Sequence, residues 1–216
     1  RAIVVRILDP TRIRTAGNVL VRQTVMLVAV TPQFPFPSGG FTMASPNQTA
    51  ADLARFTGAW TLDPARTSVV FHTKAMWVLR VKGTLTAAEG HGIVGEDGGV
   101  SGAVVLDAAS LETGNKKRDQ HLSTDDFFEV EKYPTITFVA SGARPSGDGK
   151  VEVTGTLTIR DQTRPLTVVA DVDAGDASAT VAAELDLDRS EWGVSWAKMG
   201  AGVANHVVVS AHFVKA

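Results

Sequence analysis

Val151-Glu152-Val153-Thr154-Gly155-Thr156-Leu157-Thr158-Ile159-Arg160 decides the fold, because its odd positions are apolar or glycine and its even positions polar. A period of two is the mark of a strand with one dry face and one wet face, since successive side chains leave a pleated backbone on opposite sides. The same alternation recurs on both sides of this stretch. Upstream it places Ile136, Phe138 and Ala140 on one face; downstream it places Leu166, Val168, Ala170 and Val172 together, then Val181, Ala183, Leu185 and Leu187. Val207, Val209, Ala211 and Phe213 close the series. Turn signals stand between these runs at Ser146-Gly147-Asp148-Gly149, Asp161-Gln162 and Asp173-Ala174-Gly175-Asp176, the spacing of consecutive antiparallel hairpins.

Further candidates near 67–75, 81–88 and 100–107, where Phe71, Leu85, Val104 and Leu106 continue the apolar face, bring the total to about eight strands. No long amphipathic helix is available to cover that face, so the sheet must close on itself or pack as a two-sheet sandwich. An eight-stranded barrel is wide enough to be filled by side chains or to hold one small ligand. The inward positions are mostly Val, Ala and Gly, with Phe71, Phe138 and Phe213 as large rings. Small side chains leave volume for a guest, but the same mixture also builds an ordinary sandwich core.

A chain of 216 residues with 44% apolar and 20% charged residues can bury one substantial core. Its formal charge of −2 is unevenly spread: residues 1–58 carry 6 Lys+Arg against 2 Asp+Glu, and the remainder 15 against 21. An acidic main domain is a poor candidate for binding a nucleic-acid backbone. Cysteine is absent, which removes disulfides, thiolate nucleophiles and Cys-ligated zinc. The longest apolar stretch, Thr24 to Val30, falls far short of the roughly 18 to 20 residues of a membrane-spanning helix, so no span is expected.

Arg12, Arg14 and Arg22 precede Val25 to Val30 in the manner of a signal peptide, but the run is short and Thr31-Pro32-Gln33-Phe34-Pro35 follows it in place of a small-residue cleavage site. The expected compartment is therefore the cytoplasm, with export as the alternative. Phe34 to Gly40 is rich in Pro and Gly, and Met43-Ala44-Ser45-Pro46 would make an ordinary start. Residues 1–58 are expected to be an extension or linker, with a helical turn or two over 50–56, and residues 59–216 the barrel domain.

Ser110 to Phe138 reads SLETGNKKRDQHLSTDDFFEVEKYPTITF. Thr113-Gly114-Asn115, Arg118-Asp119 with His121-Leu122, Asp126-Phe127-Phe128 and Tyr133-Pro134-Thr135-Ile136-Thr137-Phe138 follow one another in an order that resembles the YceI-like polyisoprenoid-binding family. Trp60-Thr61-Leu62-Asp63-Pro64 with Ser68 and Phe71 looks like that family's opening strand. Gly155-Thr156-Leu157-Thr158-Ile159 with Arg164-Pro165 resembles its middle hairpin, and Arg189-Ser190-Glu191-Trp192-Gly193-Val194 its late loop. The likeness runs from 60 to about 214. Asp161 departs from it where the family commonly turns on glycine, and Trp192 where it more often has phenylalanine.

The resemblance implies an all-β, eight-stranded antiparallel, lipocalin-like barrel with a short helix or loop near its mouth, and a lumen that takes a polyisoprenoid or an isoprenoid quinone. The residues expected to line that lumen are those of the apolar face. They are Phe71, Leu85, Val104 and Leu106; Ile136, Phe138, Val153, Leu157 and Ile159; Leu166, Val168, Val181 and Leu185; and Trp192, Val207 and Val209. Lys74, Arg80 and Lys82 are candidates to meet a polar head group. No cofactor or metal is expected, and a homodimer is left open.

Catalytic patterns fare poorly. Gly90-His91-Gly92-Ile93-Val94-Gly95 matches GxGxxG, but Glu96-Asp97-Gly98-Gly99 follows in place of a helix, so it reads as a glycine-rich hairpin. The five histidines are scattered, and His206 and His212 share the wet face of their strand. Asp125, Asp126, Glu129 and Glu131 lack the pattern of a calcium loop and read as a solvated acidic face. Arg118, Asp119 and His121 are the densest polar cluster, with no nucleophile beside them. The expectation is structural: Asp119 or Asp126 caps a short helix, and Arg118 clamps a carboxylate in a loop across the barrel mouth. The overall expectation is a non-enzymatic lipid-binding protein. A lipid-modifying enzyme with a polar dyad in its cavity and a ligand-free structural or stress-linked barrel are the alternatives. A chain starting at Met43 is expected to melt as cooperatively as the whole chain. Loss of the cooperative transition, followed by circular dichroism, would make the leader part of the core.

Overall fold

The computed structural model describes residues 53–216 apart from Asp148. The expectations for the leader up to residue 52 and for its Pro/Gly boundary lie outside the described residues. Nine strands form one antiparallel sheet: β1 (Gly58–Leu62), β2 (Ser68–Ala75), β3 (Leu79–Val94), β4 (Val100–Glu112), β5 (Thr135–Pro145), β6 (Lys150–Ile159), β7 (Gln162–Ala174), β8 (Ser178–Asp188) and β9 (Ala204–Lys215). A short helix, α1 (Lys116–Leu122), stands between β4 and β5.

Nine strands nonetheless occupy eight places. β1 lies between the later half of β3 (Gly58↔Val94 to Thr61↔His91) and the end of β9 (Trp60↔Lys215 to Leu62↔Phe213). β2 lies between the earlier half of β3 and the middle of the same β9 (Val69↔Leu85, Val69↔Val209). Together they are one barrel strand broken at residues 63–67. The break has a local cause: Asp63 accepts from the amide of Ala65 at 3.0 Å, and Pro64 starts a 3₁₀ turn that a continuous ladder could not contain. The sheet closes where β9 returns beside β1 and β2, so the barrel is an eight-stranded antiparallel one, as the family resemblance implies.

Hairpins join most neighbours. The GxGxxG stretch forms the end of β3 and its turn, where Gly95 donates to Gly99 at 2.8 Å and Gly98 has φ 78°, which glycine adopts without cost. In the β6–β7 turn Asp161, where the family commonly has glycine, needs no positive φ, and the left-handed position falls one residue earlier. Arg160 takes φ 57° there, and its guanidinium spans the gap to donate to the carbonyl of Phe127 at 3.1 Å and to Glu129 at 2.7 Å. A strained backbone position is thus offset by bonds that fasten the 123–134 loop to the barrel end. Glu129 is consequently half-buried, unlike its exposed neighbours Asp125, Asp126 and Glu131.

Two glycines keep the interior open. A Cβ on Gly83 would stand 2.2 Å from the Phe71 ring, and one on Gly155 would stand 2.8 Å from the Phe138 ring and 2.2 Å from the carbonyl oxygen of Val139. Both rings therefore lie flat against the wall over bare backbone. Gly155→Ala meets a backbone carbonyl that cannot move aside, so it is expected to lower stability by about 1 to 3 kcal/mol. Gly83→Ala meets only the far end of the Phe71 ring, which can swing into the lumen, and is expected to cost less. Thermal melts of the two variants check this; equal losses would mean that the Phe71 ring is held as firmly as the backbone.

Candidate functional site

The interior contains a cavity of about 980 Å³ running the length of the barrel. An 11-residue strand such as β8 rises roughly 3.3 Å per residue along a tilted path, so the lumen extends for roughly 25 Å. Phe71 and Leu85 line it from β2 and β3, Val104 and Leu106 from β4, and Ile136 and Phe138 from β5. Val153, Leu157 and Ile159 follow from β6, Leu166 and Val168 from β7, Val181 and Leu185 from β8, and Val207 and Val209 from β9. At the end remote from α1 the lining continues through Phe56, Trp60, Val100 and Val172.

Polar chemistry is confined to a few places. Thr73, Lys74, Thr113, Lys117, Arg118, His121, Arg189, Lys198 and Asn205 contribute toward the α1 end, and His91 and Ser101 toward the other. No Asp or Glu is among the described lining residues. Lys74 joins the cavity wall, whereas Arg80 and Lys82 stand exposed outside it.

The α1 end is built from loops whose geometry no periodicity announces. Asn115 caps α1 by accepting from the amide of Arg118 at 3.2 Å, a role expected of Asp119 or Asp126. Asp119 instead turns back to accept from the Thr113 amide at 3.0 Å and from its hydroxyl. Arg118 is a clamp, but not on a carboxylate: its Nε donates to Thr113 Oγ1 at 2.6 Å and its guanidinium to the Thr113 carbonyl at 2.9 Å. Asp126 is drawn to His121, 2.9 Å from Nε2. The imidazole also meets the rings of Phe127 and Trp196 edge-on, at 5.1 and 4.8 Å between centroids.

Arg189 organises the facing loop. It is buried, and it donates to the carbonyls of Val194, Trp196 and Gly202, with its guanidinium 5.0 Å from the Phe127 ring centre. Burial lowers its pKa, and the neighbouring charge of Asp188 opposes that shift. Asp188 accepts from the hydroxyl and amide of Ser190, which hold its carboxyl below the ordinary range and cap the 3₁₀ turn Arg189–Trp192.

A profile of the YceI-like domain matches residues 60–214. The chain belongs to the YceI-like family. Among curated relatives, a UPF0312 protein of Vibrio vulnificus is 40% identical over 73 residues, covering 33% of this chain and 39% of the relative. One from Pseudomonas syringae pv. tomato is 40% identical over 67 residues, covering 31% and 35%. The alignments thus span well under half of the curated relatives they match. Two solved structures share the fold: BcnA of Burkholderia cenocepacia (TM-score 0.56, 24% identity, 72% of this chain and 99% of that one) and a polyisoprenoid-binding domain from Saccharophagus degradans implicated in plant cell wall breakdown (TM-score 0.58, 14% identity, 73% and 98%).

Within this YceI-like barrel two expected placements need correction. Trp192 does not line the cavity. It is buried behind the wall with Ala108, Phe127, Ile136, Leu157, Ile159 and Val194, and its indole N–H donates to the Leu157 carbonyl at 2.8 Å. Within that loop the indole that reaches the cavity is Trp196, four residues on. His212 does not face water either: the 63–67 turn folds over the outer face of β9, leaving His212 buried with Nδ1 against Thr180 at 3.1 Å. His206 is partly exposed beside Asp186.

Removing either arginine leaves carbonyls without donors. Arg118→Ala is expected to cost about 1 to 3 kcal/mol and to loosen amide protection over 113–123. Arg189→Met, which strips three carbonyls in a dry site, is expected to cost about 3 kcal/mol or more. Chemical denaturation with hydrogen exchange measures both. An Arg118→Ala protein with unchanged stability and protection would show that the clamp holds nothing.

Proposed function

We propose that this protein is a carrier that holds an isoprenoid-tailed lipid in its lumen and does not transform it. The observation that carries this reading is the lumen itself: about 980 Å³, apolar along its length, and without a carboxylate among the described lining residues. Each five-carbon unit moved from water into such a wall contributes roughly 3 kcal/mol gross, at about 0.8 kcal/mol per buried CH₂, before its rotors are frozen. Affinity of this kind needs length and dryness more than any particular side chain. It suits a branched, extended hydrocarbon, and the polyisoprenoid-binding domain of Saccharophagus degradans shares the fold.

The polar head belongs at the α1 end. Lys74, Lys117 and Lys198 reach the cavity there beside Arg118 and Arg189, so a phosphate or the carbonyls of a quinone would find ammonium donors and no carboxylate among the described lining residues. Catalysis is disfavoured by how the polar groups are used. Arg118 and Arg189 are committed to carbonyls of their own loops, and the carboxylate nearest a lining histidine, Asp126, is exposed and bound to that histidine.

Native purification, solvent extraction and mass spectrometry test the reading. A recurrent isoprenoid species in near-stoichiometric amount is the expected result, recovered unchanged in mass after prolonged incubation. Val153 and Val168 face each other across the β6–β7 ladder and both line the lumen. Val168→Trp is therefore expected to cut the recovered lipid severalfold while leaving the far-ultraviolet circular dichroism intact. A protein that carries no lipid, or one that converts it, overturns the proposal.

A further inference from the structure

We propose that the β2–β3 turn and the Lys198–Gly200 turn form a lip by which the barrel docks on an anionic lipid bilayer. Met76, Trp77, Val78 and Met199 are 56%, 76%, 86% and 75% exposed, and Leu79 stands beside them at 45%. The first four are the most exposed large apolar side chains among the described residues, and all five gather at one end of the barrel. The two turns are fastened together: Trp77 donates to the Gly200 carbonyl at 3.1 Å, and Gly202 donates to that of Lys74 at 2.7 Å.

The exposure is built in. Met76, Trp77 and Met199 all adopt left-handed backbone conformations, with φ of 49°, 61° and 56°, which bulky residues avoid. The Trp77 indole rests on Gly200, where a Cβ would stand 2.6 Å from the ring. Strain kept at solvent-facing apolar residues points to a use for them outside the fold.

Charge selects the occupant. The lip lies within two acid-free segments, since no Asp or Glu occurs between Asp63 and Glu89 or after Glu191. Lys74, Arg80, Lys82 and Lys198 flank the apolar tip. An apolar wedge ringed by cations in a chain of net charge −2 matches the headgroup boundary of an anionic membrane, where rings and alkyl chains enter the acyl layer and cations stay among the phosphates. The lip is also continuous with the cavity, because Lys74, Met76, Lys198 and Met199 belong to both. Docking there would set the lumen against the layer from which a lipid is drawn.

Sedimentation of the full chain with vesicles tests this. Binding to phosphatidylglycerol vesicles at low salt is expected, with at least tenfold weaker binding to phosphatidylcholine or in high salt. Brominated acyl chains should quench an emission component that Trp77→Phe removes. The pair Trp77→Ser/Val78→Ser, neither of which lines the cavity, should weaken binding at least tenfold while leaving circular dichroism and co-purified lipid unchanged. Arg80→Glu/Lys82→Glu should weaken it roughly fivefold or more per charge. Val168→Trp, which addresses the guest, should leave vesicle binding intact, so failure of the carrier reading and failure of docking are separable. Absence of binding at low salt, or binding unaltered in both pairs, overturns the proposal. So does a dimer that Trp77→Ser/Val78→Ser dissociates, since the lip would then belong to a second copy.

Discussion

The return of β9 beside β1 and β2 is the constraint on which everything else rests. From β2 to β9 each strand pairs with the next one in the chain, but this ladder joins the last strand to the first and leaves no free edge. Closure also changes the meaning of the apolar face. In an open sheet, Val, Leu and Phe at alternate positions must find another layer to bury against. In a closed one they face each other across a lumen, and whether that lumen is core or cavity depends on side-chain size. Two irregularities in the β3–β4 ladder, one with extra residues in β4 between Asp107 and Glu112 and one with an extra residue in β3 opposite Val105–Leu106, supply the bend that closure demands.

Size is then controlled residue by residue. Ala140, Ala170, Ala183 and Ala211 take inward positions that Leu or Ile would fill, and Phe71 and Phe138 lie over glycine. The larger packed apolar cluster lies at the α1 end, where Phe127, Trp192 and Val194 pack against Ala108, Ile136, Leu157 and Ile159, and a smaller one gathers Leu62, Ala87 and Ala211. The barrel therefore separates two tasks that most small domains combine. One end supplies a packed hydrophobic core, and the wall between the ends is relieved of that duty and can enclose space.

The wall was legible in the sequence because a strand writes its geometry with a period of two. Val153, Leu157 and Ile159 could be assigned inward without reference to any partner strand, and so could Leu166, Val168, Val207 and Val209. The loops carry no such period. Trp192 and Trp196 differ in fate only through the left-handed Gly193 and the carbonyls gathered by Arg189, which join residues brought together by tertiary contact. For His212, strand parity correctly gives an outward face, and what it cannot give is the turn laid over that face from 145 residues away. The interrupted first strand is a similar case. Asp63-Pro64 announces a break, while the register that returns β2 to the same place beside β9 is written in the ladder alone.

The α1 end illustrates how a motif can be read correctly in position and wrongly in chemistry. Arg118, Asp119 and His121 do stand together, but each is occupied: Arg118 and Asp119 converge on Thr113, and His121 on Asp126. Arg118 and Arg189 fasten their loops through carbonyl oxygens, while Asp119 meets Arg118 at Thr113 and the charge of Asp188 acts on Arg189. In a low-dielectric wall such fixed charges interact more strongly than they would in water. One set of residues thereby closes the barrel end and gives it polarity, which is why the densest polar motif in the chain lies at the end of the lumen and not along its wall.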